Sequence, residues 1–398
     1  MIRPLGILLG LALTAGAYAA LTLLDPEARP EIRALKSIDQ ANPDTTQTIA
    51  LLTEAVRRDP ANPYRWSDLG GGLTTLSPSG QSGLSPSPSS AARAAYARAL
   101  ELSRDIPQIW LRDANFHFQL NEPEPALETA SRVLKTVPDY DSVLFNYFTQ
   151  FNLSPDKVLK HIGTDPRATR AYTLFLIDHN LMDAATTAWR SAADAGFNEI
   201  HLTSSYIDAL LRSHRYDQAQ RDWVGYLGQN RDGYPDRNLL FNASFELDPT
   251  SAAFDWRIQP GGEVETIRDT MAHQGQRSLR IRFPGNSNVS YTNATQLARV
   301  HPGGYLLRAW VRTQELTTNE GPRIEIVDPE SATRLDVQSE PFTGTRDWTL
   351  FEQPFLVSPG TNLVAIRVVR QPSKKFDNKI AGTFWMDSLE LTRKQVNY

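Results

Sequence analysis

Asn238-Leu-Leu-Phe-Asn-Ala-Ser-Phe-Glu246 is where the chain changes its periodicity. Upstream of it, apolar residues recur at helical spacing inside a 34-residue repeat. Downstream they alternate with polar residues, the signature of half-buried strands. A chain of 398 residues is too long for one ordinary core, so the two patterns are read as separate parts. The expected organisation is an N-terminal segment 1–28, a helical part 29–235 and a β part 238–398, an α-then-β multidomain chain.

Beyond Asn238 five runs suit strands. They are Ser278-Leu-Arg-Ile-Arg-Phe283, Tyr305 to Arg312, Arg323-Ile-Glu-Ile-Val327, Asn362 to Val369 and Phe384 to Leu391. Turn residues such as Pro284-Gly285, Pro302-Gly-Gly304 and Pro359-Gly360 separate several of them. This pattern predicts a two-sheet sandwich or jelly roll. The order of the pieces carries a resemblance. After the opening stretch come Phe254-Asp-Trp256, Gly275-x-x-Ser-Leu-x-Ile281 and Pro302-x-x-Tyr305. Asp347-Trp348-x-x-Phe351 and a closing Trp385-x-Asp387-x-Leu389 complete it. In this order they resemble the galactose-binding-like jelly roll common among carbohydrate-binding modules. That resemblance implies a polysaccharide ligand. It also implies one structural calcium at Ser244 (through its carbonyl), Glu246, the His273–Gln276 loop, which carries Gln274, and Asp387. The competing reading gives Glu246 and Asp387 to turns and hydrogen bonds. Trp256 and Trp348 match the family's structural tryptophans.

Strand alternation separates core from surface within this part. Tyr305, Leu307, Ala309 and Val311 point one way, and Arg308, Trp310 and Arg312 the other. Leu279, Ile281 and Phe283 likewise oppose Arg280 and Arg282. The second set is the candidate sugar face: Trp310 to stack on a pyranose, and Arg280, Arg282, Arg308 and Arg312 around it, with Arg323 and Arg367 as further members. Guanidinium pairs with carboxylate, so such a face suits an acidic polysaccharide. The alternative is an ordinary solvated sheet with an incidental tryptophan.

The upstream repeat is countable. Ala92/Ala126, Tyr96/Ala130 and Ala99/Val133 are 34 apart, as are Tyr172/Tyr206, Leu176/Leu210, Asp183/Asp217, Ala185/Ala219 and Trp189/Trp223. Small residues at such positions let helices cross closely, and the pattern resembles the tetratricopeptide repeat. Trp66, Trp110, Trp189 and Trp223 then belong to its core. The resemblance implies an α-solenoid with a groove for a protein partner, or a spacer. The run from Ser77 to Ser90 reads as a low-complexity surface loop inserted into the first repeat, and 141–171 is irregular.

Arg3 precedes an uncharged apolar stretch from Leu5 to Leu24. It is long enough for an uncleaved membrane anchor, and Ala17-Tyr-Ala19 is also compatible with a cleaved signal peptide. Either reading exports the rest, to the periplasmic face of an inner membrane or beyond it, and both fit a bacterial cell envelope. With no cysteine in the chain, disulfides, thiolate metal sites and a cysteine nucleophile are excluded. A net charge of −4 gives no whole-chain case for nucleic acid. The sequence holds no Gly-x-Ser-x-Gly elbow, phosphate loop or His-Glu-x-x-His helix, and its seven histidines are scattered. The expectation is a non-catalytic envelope protein, binding a partner through its repeats and a polysaccharide through its sandwich, in surface or exopolysaccharide assembly. A purely structural scaffold is the alternative, and a polysaccharide lyase or hydrolase a third.

Overall fold

The computed structural model describes residues 45–75, 90–252, 254–259, 262–376 and 378–394. The apolar stretch read as an anchor or signal, and all of the Ser/Pro loop except Ser90, lie outside these residues. Among the described residues, no helix is long and apolar enough to cross a membrane. The chain divides into two compact units between Ala168 and Thr169.

The first unit is helical: α1 (Thr45–Arg58), α2 (Pro63–Thr75), α3 (Ser90–Leu102), α4 (Pro107–Gln119), α5 (Pro123–Thr136), α6 (Asp141–Gln150) and α7 (Pro155–Ile162), with α8 (Pro166–Asp178) beginning at its end. Proline opens α4, α5 and α7, where its missing N–H costs nothing and its fixed φ suits the helix. Asn121 and Asn152 stop α4 and α6 with positive φ, a conformation asparagine tolerates. The 34-residue pairs of this unit, from Ala92 and Ala126 to Ala99 and Val133, are all buried. Gly70 lies against the Tyr96 ring, where an added Cβ would come within 2.7 Å of it. The irregular stretch 141–171 holds the short α6 and α7 and a 3-10 turn at Pro138–Tyr140 precedes it.

The second unit contains most of α8, then α9 (Met182–Asp194), α10 (Ile200–Arg212), α11 (Tyr216–Leu227), a 3-10 turn at Gly228–Arg231 and all of the β part. The repeat pairs Tyr172/Tyr206, Leu176/Leu210, Ala185/Ala219 and Trp189/Trp223 are buried. The exposed pair Asp183/Asp217 behaves differently at its two positions. Asp183 meets Arg215 of the following helix pair at 2.6 Å, whereas Asp217 meets Arg299 of the β part at 2.9 Å.

The β part forms two antiparallel five-stranded sheets. Sheet A has the order β1 (Arg257–Ile258), β4 (Tyr291–Arg299), β9 (Leu363–Arg370), β6 (Arg323–Val327), β7 (Asp336–Gln338). Sheet B has the order β2 (Glu265–Asp269), β3 (Ser278–Pro284), β10 (Ala381–Arg393), β5 (Gly303–Leu316), β8 (Gly344–Val357). Leu279, Ile281, Phe283, Tyr305, Leu307, Ala309 and Val311 of sheet B pack with Ile324, Ile326, Val364, Ile366 and Val368 of sheet A. The period-2 alternation therefore sorted core from surface as read. Trp256 is fully buried in this core beside Phe245, with ring centroids 4.9 Å apart.

Candidate functional site

The outer face of sheet B is built by strand register. Cross-strand partners share a face, so Ile267, Arg280, Trp385 and Arg312 form one row across β2, β3, β10 and β5. Asp387, Trp310 and Leu350 form the next, and Glu390, Arg308 and Glu352 the one after. Trp310 thus lies where alternation put it. Trp348, read as structural, does not join the core: it is half-buried on this same side, its ring edge-on to His273 at 5.8 Å. Three of the sandwich's four tryptophans therefore sit on one face. Leu350 and Leu356 add exposed apolar surface at the edge strand, 41% and 68% exposed. Strand β8 hid this from sequence reading because its first half is exposed on both sides and shows no clean alternation.

The arginines of this face are paired, except one. Arg308 binds Glu352 at 2.7 Å and Glu390 at 3.5 Å, and both carboxylates raise its pKa, Glu352 more strongly. Arg312 meets Asp347 at 3.4 Å and lies over the Trp385 ring. Arg280 meets Glu265 at 2.9 Å and Asp269 at 3.4 Å. Burial pushes Asp269 up, but the indole N–H of Trp385, the Thr270 amide and Arg280 outweigh it and leave the carboxyl below its ordinary range. Arg282, exposed on β3, has no ion pair among the described residues. Arg323 and Arg367 do not belong here. They lie on strands β6 and β9 of sheet A, paired with Glu320 and Glu325. Long side chains from two sheets cannot be assigned to one face by alternation alone, because alternation fixes a face within a strand and says nothing of which sheet holds it.

His273, at the start of the loop expected around calcium and not among the residues expected on this face, lies flat on Trp310 with ring centroids 3.8 Å apart and planes 10° from parallel. The residues expected around calcium position it. Asp387 is fully buried and accepts hydrogen bonds from the backbone N–H of His273 at 2.7 Å and of Gln274 at 3.0 Å, while its other oxygen takes the N–H of Ser388. Burial raises its pKa, which these N–H donors partly offset. Glu246 accepts from the N–H of Gln276 and Arg277, and Gly275 at φ +75° leaves room for that carboxylate, since a Cβ there would come within 2.2 Å of it. Ser244 lines a cleft that Glu246 also borders. Glu246 and Asp387 do converge on one loop, but the loop turns N–H groups toward them. A calcium ion needs six to eight oxygens, so this donor set does not fit the ion as arranged. Among the described residues no group of three or more His, Asp or Glu is placed to hold a metal.

The outer face of sheet A is engaged within the chain. Arg299 reaches Asp217 and sits over the Tyr216 ring, Arg257 meets Asp208 at 2.6 Å, and Tyr216 donates to Glu330. Phe241 packs edge-on against Trp223 of α11.

No family model matches the chain, and no curated protein matches it. Solved structures do resemble its β part. A family 61 carbohydrate-binding module in complex with β-1,4-galactotriose is 18% identical, with a TM-score of 0.28, covering 40% of this chain and all of that one. A second module of family 16 is 21% identical, with a TM-score of 0.27, over 39% of this chain and all of its own. The CBM22-1 xylan-binding domain from Paenibacillus barcinonensis Xyn10C is 12% identical, with a TM-score of 0.25, over 39% and 93%.

Proposed function

We propose that this protein is a non-catalytic polysaccharide-binding protein whose ligand lies along the outer face of sheet B. The observation that carries the reading is the gathering of half-buried Trp310 and Trp348 on that one face beside exposed Leu350, with Trp385 buried under Arg312 next to them. Indole faces stack on pyranose C–H surfaces, and flanking Arg–carboxylate pairs offer donors and acceptors to hydroxyls. Because Arg280, Arg308 and Arg312 already hold carboxylates, little free positive charge faces solvent. A neutral glycan suits this face better than an acidic one. Trp348 is the leading stacking residue, since His273 already covers one face of Trp310.

Binding without catalysis is supported by the carboxylates themselves. Glu265, Asp269, Asp347, Glu352 and Glu390 are each held by an arginine. Asp387, the one carboxyl of these rows that burial raises, is fully buried and taken up by the N–H groups of His273, Gln274 and Ser388, whereas a glycosidase needs a raised carboxyl that reaches the glycosidic oxygen. The helical part would serve as the arm that places the sandwich, with a protein partner on its free surface, in an exported protein that retains or assembles surface polysaccharide. The test is a titration of the full chain with neutral and acidic polysaccharides at low and high salt. Binding to neutral glycans that salt leaves unchanged supports the reading. Binding only to acidic glycans, fading with salt, overturns the neutral assignment. A second reading, contact with a protein, draws on the exposure of Leu356; retention of a protein partner with no response to any glycan would favour it.

A further inference from the structure

A second cleft, sharing no residue with the tryptophan face, opens between the 3-10 turn after α11 and the opening stretch of the β part. Its volume is about 540 Å³, in the range of small-molecule sites. Asn230, Asp232, Ser244 and Glu246 line it, together with buried Phe241 and Leu389. The side chains of Asn230, Asp232 and Ser244 have no hydrogen-bond partner among the described residues. Glu246 commits one carboxylate oxygen to the amides of Gln276 and Arg277, leaving the other free.

The walls are built rigidly. Asn242 closes the 242–247 loop on itself, accepting from the Leu247 N–H at 3.0 Å and donating to its carbonyl at 2.9 Å. Asn238 ties the same segment to β10, donating to the Leu389 carbonyl and accepting from the Leu391 N–H. Phe245 holds φ +55° with its ring fully buried. A bulky aromatic rarely adopts that conformation, and such outliers persist where the surroundings over-determine them. It sends the Phe245 ring inward and leaves its neighbours Ser244 and Glu246 lining the cleft. Asp232 also has positive φ, at +41°.

We infer that this cleft binds a polyhydroxylated ligand, the end of a neutral sugar chain, independently of the tryptophan face. Two carboxylates and an amide lining one space can accept from and donate to hydroxyls, while Phe241 and Leu389 add apolar lining for C–H edges. An anion would meet Asp232 and Glu246, and Arg231 is drawn toward Asp236 at 3.5 Å.

The test is calorimetric titration of the full chain with three neutral trisaccharides: xylotriose, cellotriose and β-1,4-galactotriose. Asn230→Ala and Asp232→Asn, both at exposed positions, should each weaken binding at the cleft about tenfold, the loss expected for a hydrogen bond to a charged or well-placed polar group. Asp232→Asn keeps a residue that tolerates positive φ, so its effect is not one of backbone strain. Two binding events, one weakened by these variants and one by Trp348→Ala, support both sites. A single event weakened by Asn230→Ala and Asp232→Asn but not by Trp348→Ala supports the cleft and sinks the tryptophan face. A single event weakened only by Trp348→Ala overturns the cleft. Heat from calcium chloride with none from any trisaccharide also overturns it.

Discussion

The two outer faces of the sandwich have the same strand architecture and opposite fates. On sheet A, Arg299 is 7% exposed, donates to the carbonyls of Val300 and Asn362, and holds Asp217 of α11. On sheet B, Arg308 also holds two carboxylates, but at the solvent surface. Pairing alone does not tell a structural arginine from a surface one. What separates them is whether the guanidinium has left water and whether backbone carbonyls depend on it. One face is spent on the chain itself, and the other stays at the solvent surface.

The largest expected effect breaks or keeps that contrast. Arg299→Ala strands the carbonyls of Val300 and Asn362 and should cost about 3 kcal/mol in urea unfolding. Arg308→Ala should leave the unfolding midpoint unchanged, because exposed ion pairs contribute little. Equal losses would make the two faces energetically alike. Next in size, Trp348→Ala should weaken glycan binding by about 2 kcal/mol, as an aromatic anchor does, with no change in unfolding. An unchanged affinity would move the ligand off this face. His273→Ala should make a smaller change, uncovering Trp310 so that acrylamide quenches its emission more strongly; unaltered quenching would mean that the imidazole does not shield the indole.

The smallest effect is one of pH. The hydrogen bond from Arg299 holds the Asp217 carboxyl below its ordinary range, more than burial raises it. A depressed carboxyl contributes stability that is complete above its unfolded pKa of about 4 and is lost as pH falls through the lower folded value. Asp217→Asn should therefore flatten the acid limb of the stability curve slightly and leave neutral stability little altered, since Asp217 is largely exposed. A steepened acid limb would contradict the assigned pairing.

Much of this was legible before any fold was known. The pairs Ala92/Ala126 and Trp189/Trp223 announced buried helix crossings through their spacing, and the alternation through Tyr305–Val311 separated core from surface. Trp310 followed from that alternation. Trp348 did not, because an edge strand exposed on both sides obeys no periodic rule. Arg323 and Arg367 were grouped with the wrong face because their strands belong to the other sheet. Glu246 and Asp387 both accept N–H groups of the 273–277 loop, and sequence could not tell whether that loop would present carbonyl oxygens or N–H groups.

The sequence by itself determined which residues β3, β5 and the paired helices bury, since burial there follows from spacing of 2 or 3.6 residues within a single element. The tertiary structure alone decided which sheet each strand joined, which outer face met α11, and that His273 would lie on Trp310. Those outcomes depend on contacts between residues far apart in the chain, such as Arg299 with Asp217 and His273 with Asp387, for which no local periodicity carries a signal.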